Sequence, residues 1–147
     1  MQGFDTMTFQ EKSRWIALTA NLIAWGWYFV TVARLLAAGV PDERGLLAMM
    51  VPVFVAITII NIVGHIVVAV LKPGEATSEL DEREKAIARR AAAIGYNVLC
   101  FGIVIALGST LYYWTAFVAV NAVMLAFIVA ECVRYCVEIT AFRRGFA

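Results

Sequence analysis

Asp81-Glu82-Arg83-Glu84-Lys85-Ala86-Ile87-Ala88-Arg89-Arg90 runs without a break into the apolar stretch from Ala91 to Leu107. Over the whole chain charge is scarce, with 16% of the residues charged and 63% hydrophobic. In so apolar a chain, charges gather where water meets lipid. The junction at residues 90–91 therefore reads as the point where a helix enters a membrane.

Working outward from that junction, the composition and the strongly positive mean hydropathy demand a larger core than 147 residues can enclose in water. Four apolar segments run from Trp15 to Ala38, Leu46 to Leu71, Ala91 to Leu107 and Trp114 to about Val133. Each lies near the ~20 residues that cross ~30 Å of hydrocarbon. The predicted fold is all-α, a polytopic four-transmembrane-helix bundle of two antiparallel hairpins. It forms a single domain over 1–147, with helices at about 9–38, 46–71, 79–107 and 114–142. Ala37-Ala38-Gly39 offers small residues after the first segment, but its length, with Asn21, Trp25 and Trp27 inside, favours a retained signal-anchor helix.

Lys12 and Arg14 precede helix 1, Lys72, Arg83, Lys85, Arg89 and Arg90 lie between helices 2 and 3, and Arg143 and Arg144 follow helix 4. The other two connections carry only Arg44. The positive-inside rule then sets both termini in the cytoplasm. A formal charge of +1 gives no basic stripe for nucleic acid.

Local signals bound the helices. Thr8-Phe9-Gln10-Glu11 is a capping-box pattern, and Pro41-Asp42-Glu43-Arg44-Gly45 breaks the chain outside the membrane. Lys72-Pro73-Gly74 ends helix 2, and Gly108-Ser109 with Tyr112, Tyr113 and Trp114 marks the second outer turn. Pro52 sits near a helix start, where a missing amide costs least. In helix 3, Leu80, Ile87, Ala91, Ile94, Val98, Phe101 and Ile105 trace one stripe from cytoplasm into membrane. From residue 79 to 107 such a rod is about 43 Å long, so about 13 Å projects beyond the hydrocarbon.

A hairpin of helices 3 and 4 turning near residue 111 brings Glu131 level with Arg89 and Arg90, and Glu138 level with Arg83 to Lys85. The same construction about Pro41 sets Asn21 beside Asn61. Ala122, Ala126 and Ala130 on one helix, and Ala88, Ala91, Gly95 and Gly102 on the other, permit close approach.

Asp81-Glu82-Arg83-Glu84, followed by Ile87, a basic residue, small residues and Tyr96, resembles the signature of a family of small bacterial membrane proteins of unknown function. In that family an Asp-Glu-Arg-Asp/Glu segment leads into a transmembrane helix. Arg89 stands where such proteins carry a Lys. The resemblance covers about twenty residues and implies a four-helix protein of the bacterial inner membrane. It carries over no catalytic residue.

Candidate chemistry is sparse. His65, the single histidine, has Asn61 one turn away. At that depth an imidazole either relays protons or ligates a metal, or is a neutral group hydrogen-bonded between helices. The second is the simpler reading, since one histidine builds no metal site without neighbours or a symmetry mate. Glu131 has Arg134 three residues on and reads as a structural ion pair before a transport carboxylate. Asn21, Asn61, His65, Tyr96, Asn97 and Glu131 share the middle or inner half of the bilayer. They form a polar layer that serves either as interhelical glue or as the lining of a cavity. Cys100, Cys132 and Cys136 form no CxxC pair and read as small buried hydrophobes. Trp25, Trp27 and Tyr28 read as bilayer packing and anchoring. No phosphate loop, nucleophile elbow or HExxH motif points to an enzyme, and no cofactor is expected.

The sequence therefore predicts a non-enzymatic membrane protein that acts by association with a membrane or cytoplasmic protein or with a second copy of itself. The expected contact residues are Asp81, Glu82, Arg83, Glu84, Arg89 and Arg90. The alternative is a small, dimeric transporter or channel that uses the His/Asn/Glu layer.

Overall fold

A computed structural model describes residues 9–39, 42–71, 82–112 and 115–144, with the backbone alone at 9, 10, 65, 68, 69, 71 and 110. The described residues form five helices: α1 (Phe9–Ala37), α2 (Glu43–Ala48), α3 (Met50–Leu71), α4 (Glu82–Thr110) and α5 (Ala116–Arg144). No strand occurs among them. Four of the helices are long and apolar enough to cross a membrane, and the six-residue α2 is the exception.

Polar groups at the ends explain the boundaries. Gly39 takes a φ of 75°, the left-handed conformation open to glycine, and terminates α1 just past Ala37. The sequence leads one to expect a break over Pro41 to Gly45. Instead Asp42 caps α2, its side chain accepting from the Gly45 amide at 3.1 Å. Pro52 falls in the first turn of α3, where its lost donor breaks no helical bond. α4 runs to Thr110, three residues beyond the expected end at 107. Gly108 and Ser109 continue the helix, with the Ser109 hydroxyl donating to the Ala106 carbonyl at 2.7 Å. Thr115 then caps α5, its hydroxyl accepting from the Val118 amide at 3.2 Å. The expected helix start at 79 and the breaker Lys72-Pro73-Gly74 lie outside the described residues.

The long helices pack in the order α3, α1, α5, α4: α1 borders α3 and α5, and α4 borders α5. This is an open row rather than a closed ring of four. α1 is the most enclosed, with 39% of its most apolar stretch buried against 17% in each of the other three spans. The outward surfaces are apolar, as Val51, Val55, Ile59, Ile62 and Ile66 on α3 and Phe101, Val104 and Leu107 on α4 illustrate. Such surfaces suit lipid, where every backbone polar group must be satisfied inside its own helix.

In lipid, helices hold together by close packing and hydrogen bonds rather than by apolar burial. Small residues supply the packing. A Cβ added at Gly102 of α4 would lie 2.7 Å from the Ala126 Cβ of α5. One at Gly95 would lie 3.2 Å from the Arg134 Cβ and 3.3 Å from the Ala130 carbonyl oxygen. On the other side of the row, Gly64 of α3 faces Ile16 of α1. The main core cluster joins Trp25, Tyr28 and Val32 of α1 to Leu46, Met50, Val53, Phe117 and Ile128. Trp25 stands edge-on to Tyr28 and Phe54, with centroids 5.7 and 5.0 Å apart. Trp25 and Tyr28 are thus interior residues, contrary to the bilayer-anchoring expectation, and only Trp27 of that set faces outward.

The Tyr28 hydroxyl donates to Asn121 Oδ1 at 3.0 Å, tying α1 to α5. Tyr28→Phe leaves that amide oxygen without its partner. It is expected to lower stability by about 0.6–1.7 kcal/mol, the range of interhelical hydrogen bonds in membranes, read as a shift in the midpoint of a detergent unfolding titration.

Candidate functional site

Ionisable side chains concentrate where α1 begins and α5 finishes, at the middle of the row. The face of α1 carrying Glu11, Arg14 and Leu18 repeats at three- and four-residue spacing. It meets the face of α5 carrying Tyr135, Glu138 and Ile139. Ala17, Leu18, Tyr135 and Ile139 pack there as a second core cluster, with Trp15 and Cys132 against it. Around this patch lie two ion pairs between helices. Arg14 pairs with Glu138, whose side chain is 2% exposed, and Arg143 Nε donates to Glu11 Oε1 at 2.7 Å. The Arg143 guanidinium also lies 5.4 Å from the centre of the Trp15 ring.

A carboxylate as enclosed as Glu138 is tolerable only with a cation in contact, because desolvation of an isolated charge costs several kcal/mol. Arg14 reaches it from the neighbouring helix while its own outer part remains solvent-accessible. The pair joins helices at opposite ends of the sequence. Hairpin register had instead set Glu138 level with Arg83 to Lys85, and that is corrected: Glu138 pairs with Arg14 of α1. Glu131 likewise pairs with Arg134 of its own helix at 2.7 Å rather than with Arg89 or Arg90. Arg134 in turn lies 4.8 Å from the Tyr135 ring.

The start of α4 is arranged differently. Ile87 and Ala91 are buried and fasten it, while Glu82, Arg83, Lys85, Arg89 and Arg90 are exposed and Glu84 is half-buried. Lys85 donates to Glu82 at 2.9 Å within the helix, and Arg89 Nε makes a long 3.4 Å contact to the Lys85 carbonyl. Among the described residues, no ion pair links these charges to another helix. Asp81, the remaining expected contact residue, lies outside the described residues.

Among the described residues, no side-chain hydrogen bond or ion pair joins two members of the expected polar layer. Asn21 is buried and Asn61 half-buried, and each donates its amide to a carbonyl one turn back in its own helix, Ala17 and Ile57, at 2.9 Å. Tyr96 is 67% exposed and Asn97 is exposed. Position 65 belongs to α3, but the His65 side chain lies outside the described residues. Cys100 and Cys136 face outward and Cys132 is half-buried, so the expectation of three buried thiols is corrected for two of them. Both sit on helix faces turned away from their neighbours. Among the described residues, no group of three His, Cys, Asp or Glu side chains converges as metal ligation requires.

Sequence reading missed Glu11, Arg14 and Arg143 as interhelical partners, and also Asn121. Their one legible signal is charge of opposite sign near the start of the first helix and the end of the last. The pairing itself depends on the lateral order of the helices. No protein-family model matches the chain, and no curated protein or solved structure matches it.

Proposed function

We propose that the chain is a multi-pass protein of the bacterial inner membrane, with both termini cytoplasmic, that has no enzymatic activity and works by association with another protein. The contact surface is the charged start of α4, comprising Glu82, Arg83, Glu84, Arg89 and Arg90 with Asp81 preceding them. The basic residues gathered at one end of the row support the orientation. The contacts support two antiparallel hairpins. Ile16 meets Gly64 while Trp25 meets Phe54, and Gly95 meets Ala130 while Gly102 meets Ala126, so numbers fall on one helix as they rise on the other. The resemblance of Asp81-Glu82-Arg83-Glu84 to small bacterial membrane proteins agrees with this placement.

One observation carries the association reading. Two ion pairs, Arg14–Glu138 and Arg143–Glu11, join α1 to α5, whereas among the described residues no ion pair joins the mostly exposed charges opening α4 to another helix. A run of both signs, held on a rigid helix by buried Ile87 and Ala91, offers directional complementarity to a partner of matching pattern.

Tagged protein, solubilised in mild detergent from its native membrane, is expected to carry a stoichiometric second protein. Reversing Arg83 and Glu84 together (R83E/E84R) is expected to reduce that protein at least tenfold, about 1.4 kcal/mol in binding, with membrane insertion unchanged. A partner yield unaffected by the reversal, or a clean homo-oligomer from wild type, would sink this reading.

A further inference from the structure

Beside the charged surface runs a second feature, a furrow along one side of the α4–α5 pair. Its lower part, about 300 Å³, is lined by Ile87, Arg90, Ile94, Val137, Thr140, Ala141 and Arg144. A second hollow of about 350 Å³ lies between the same helices, with Val98, Phe101, Ile105, Ala122, Ala126 and Val129 in its lining. On α4 the lining positions 87, 90, 94, 98, 101 and 105 repeat at three or four residues, as do 144, 141, 137, 129, 126 and 122 on α5 when the two turns between 137 and 129 are counted. The two hollows are therefore on one continuous helix face.

Polarity divides along this furrow. Arg90 and Arg144 flank the lower hollow with the Thr140 hydroxyl, no carboxylate lines it, and neither arginine has an ion-pair partner among the described residues. Above Ile94 the lining is apolar apart from Ser109 at the far end. One leaflet of hydrocarbon is about 15 Å deep, or about ten helical residues. A chain starting beside Arg90 thus reaches the level of Phe101, which is 69% exposed on the stripe. Two guanidinium groups below and an apolar channel of leaflet depth above match a molecule with an anionic head and a hydrocarbon tail. A protein helix or a free anion matches only one half.

We infer that this furrow binds an acidic glycerophospholipid, its phosphate held by Arg90 and Arg144 and one acyl chain lying along Ile94, Val98 and Phe101. Arginine suits the head because its planar fork meets phosphate oxygens two at a time. Basic pockets between helices near the membrane surface recognise such headgroups. Arg90 is shared with the proposed partner surface but Arg144 is not, so the two readings separate by mutation.

The test reconstitutes full-length protein in vesicles of equal phosphatidylglycerol and phosphatidylcholine, re-extracts it in mild detergent and measures retained lipid by native mass spectrometry. Wild type is expected to hold phosphatidylglycerol with about a thirtyfold preference, the scale of two arginines near a membrane surface. R90Q/R144Q is expected to lose the preference. Both side chains are exposed, and circular dichroism checks that the variant is folded. R144Q alone provides a milder version that leaves the α4 surface untouched. R83Q/R89Q retains the preference, and Val137→Trp, which fills the furrow with both arginines in place, abolishes it. Equal retention of both lipids by wild type overturns the inference. So does an equal loss in R83Q/R89Q, or displacement of the lipid by inorganic phosphate, which would mark an anion site without a lipid tail.

Discussion

Replacing Arg14 with methionine is expected to cost about 3 kcal/mol of stability, the largest single-residue effect of any charge in the chain. The substitution strands the Glu138 carboxylate, whose side chain is 2% exposed. Breaking one side of a buried pair costs about 3–5 kcal/mol because the surviving charge stays desolvated. The low end applies here, since Arg134 also acts electrostatically on Glu138. Glu138→Gln should be milder, because the outer part of Arg14 can still reach water. Arg14→Met combined with Glu138→Leu is expected to recover most of the loss, since no buried charge remains. Unfolding midpoints of wild type, Arg14→Met, Glu138→Leu and the double variant in a detergent titration form a double-mutant cycle. If the two single effects simply add in the double variant, the pair does not act as a unit.

A comparable loss is expected from Gly102→Val. Even the Cβ of alanine would sit 2.7 Å from that of Ala126, closer than packed carbons tolerate, so α4 and α5 must part. Overpacking costs about 1–3 kcal/mol, with Gly102→Ala in that range and Gly102→Val at its top. The effect is amplified by position, because α5 is the helix that α4 borders. Ala126→Gly removes the opposing Cβ and is expected to rescue Gly102→Ala substantially while helping Gly102→Val less. Absence of rescue in the same titration would mean that this contact does not set the helix separation.

How far the sequence was legible follows from what lipid does to the signals. The apolar segments that make α1, α3, α4 and α5 stand out because hydrocarbon demands a continuous run of about 20 residues. Close approach of α4 and α5 at Gly102 and Ala126 was also readable, since chain neighbours joined by a short turn fix their own register. The end of α4 was less so: Gly108 and Ser109 look like breakers until Ser109 is seen bonded to Ala106. Trp25 and Tyr28 were misjudged for a deeper reason. In water a buried ring and an exposed one differ in cost, but in a bilayer a ring facing lipid and one facing a helix are both content. Hydropathy therefore carries no information about which is which. The Arg14 and Glu138 partnership needed the lateral order of the helices, which rests on those same rings together with the Tyr28 to Asn121 bond. Among the candidate site residues, the exposure of the charges opening α4 followed from their position past the apolar run. The dispersal of Tyr96 and Asn97 to an outward face did not follow from their depth.

The open row has a consequence for biosynthesis. Translation delivers α5 after the other four helices, yet it is the element that touches both α1 and α4. Until it has emerged, the polar flank of α1 with Arg14 and the glycine-lined flank of α4 lack the helix they pack on. Docking of α5 on α1 and α4 therefore follows the synthesis of the other four helices. A product cut short before residue 116 would leave both flanks without the helix that packs on them.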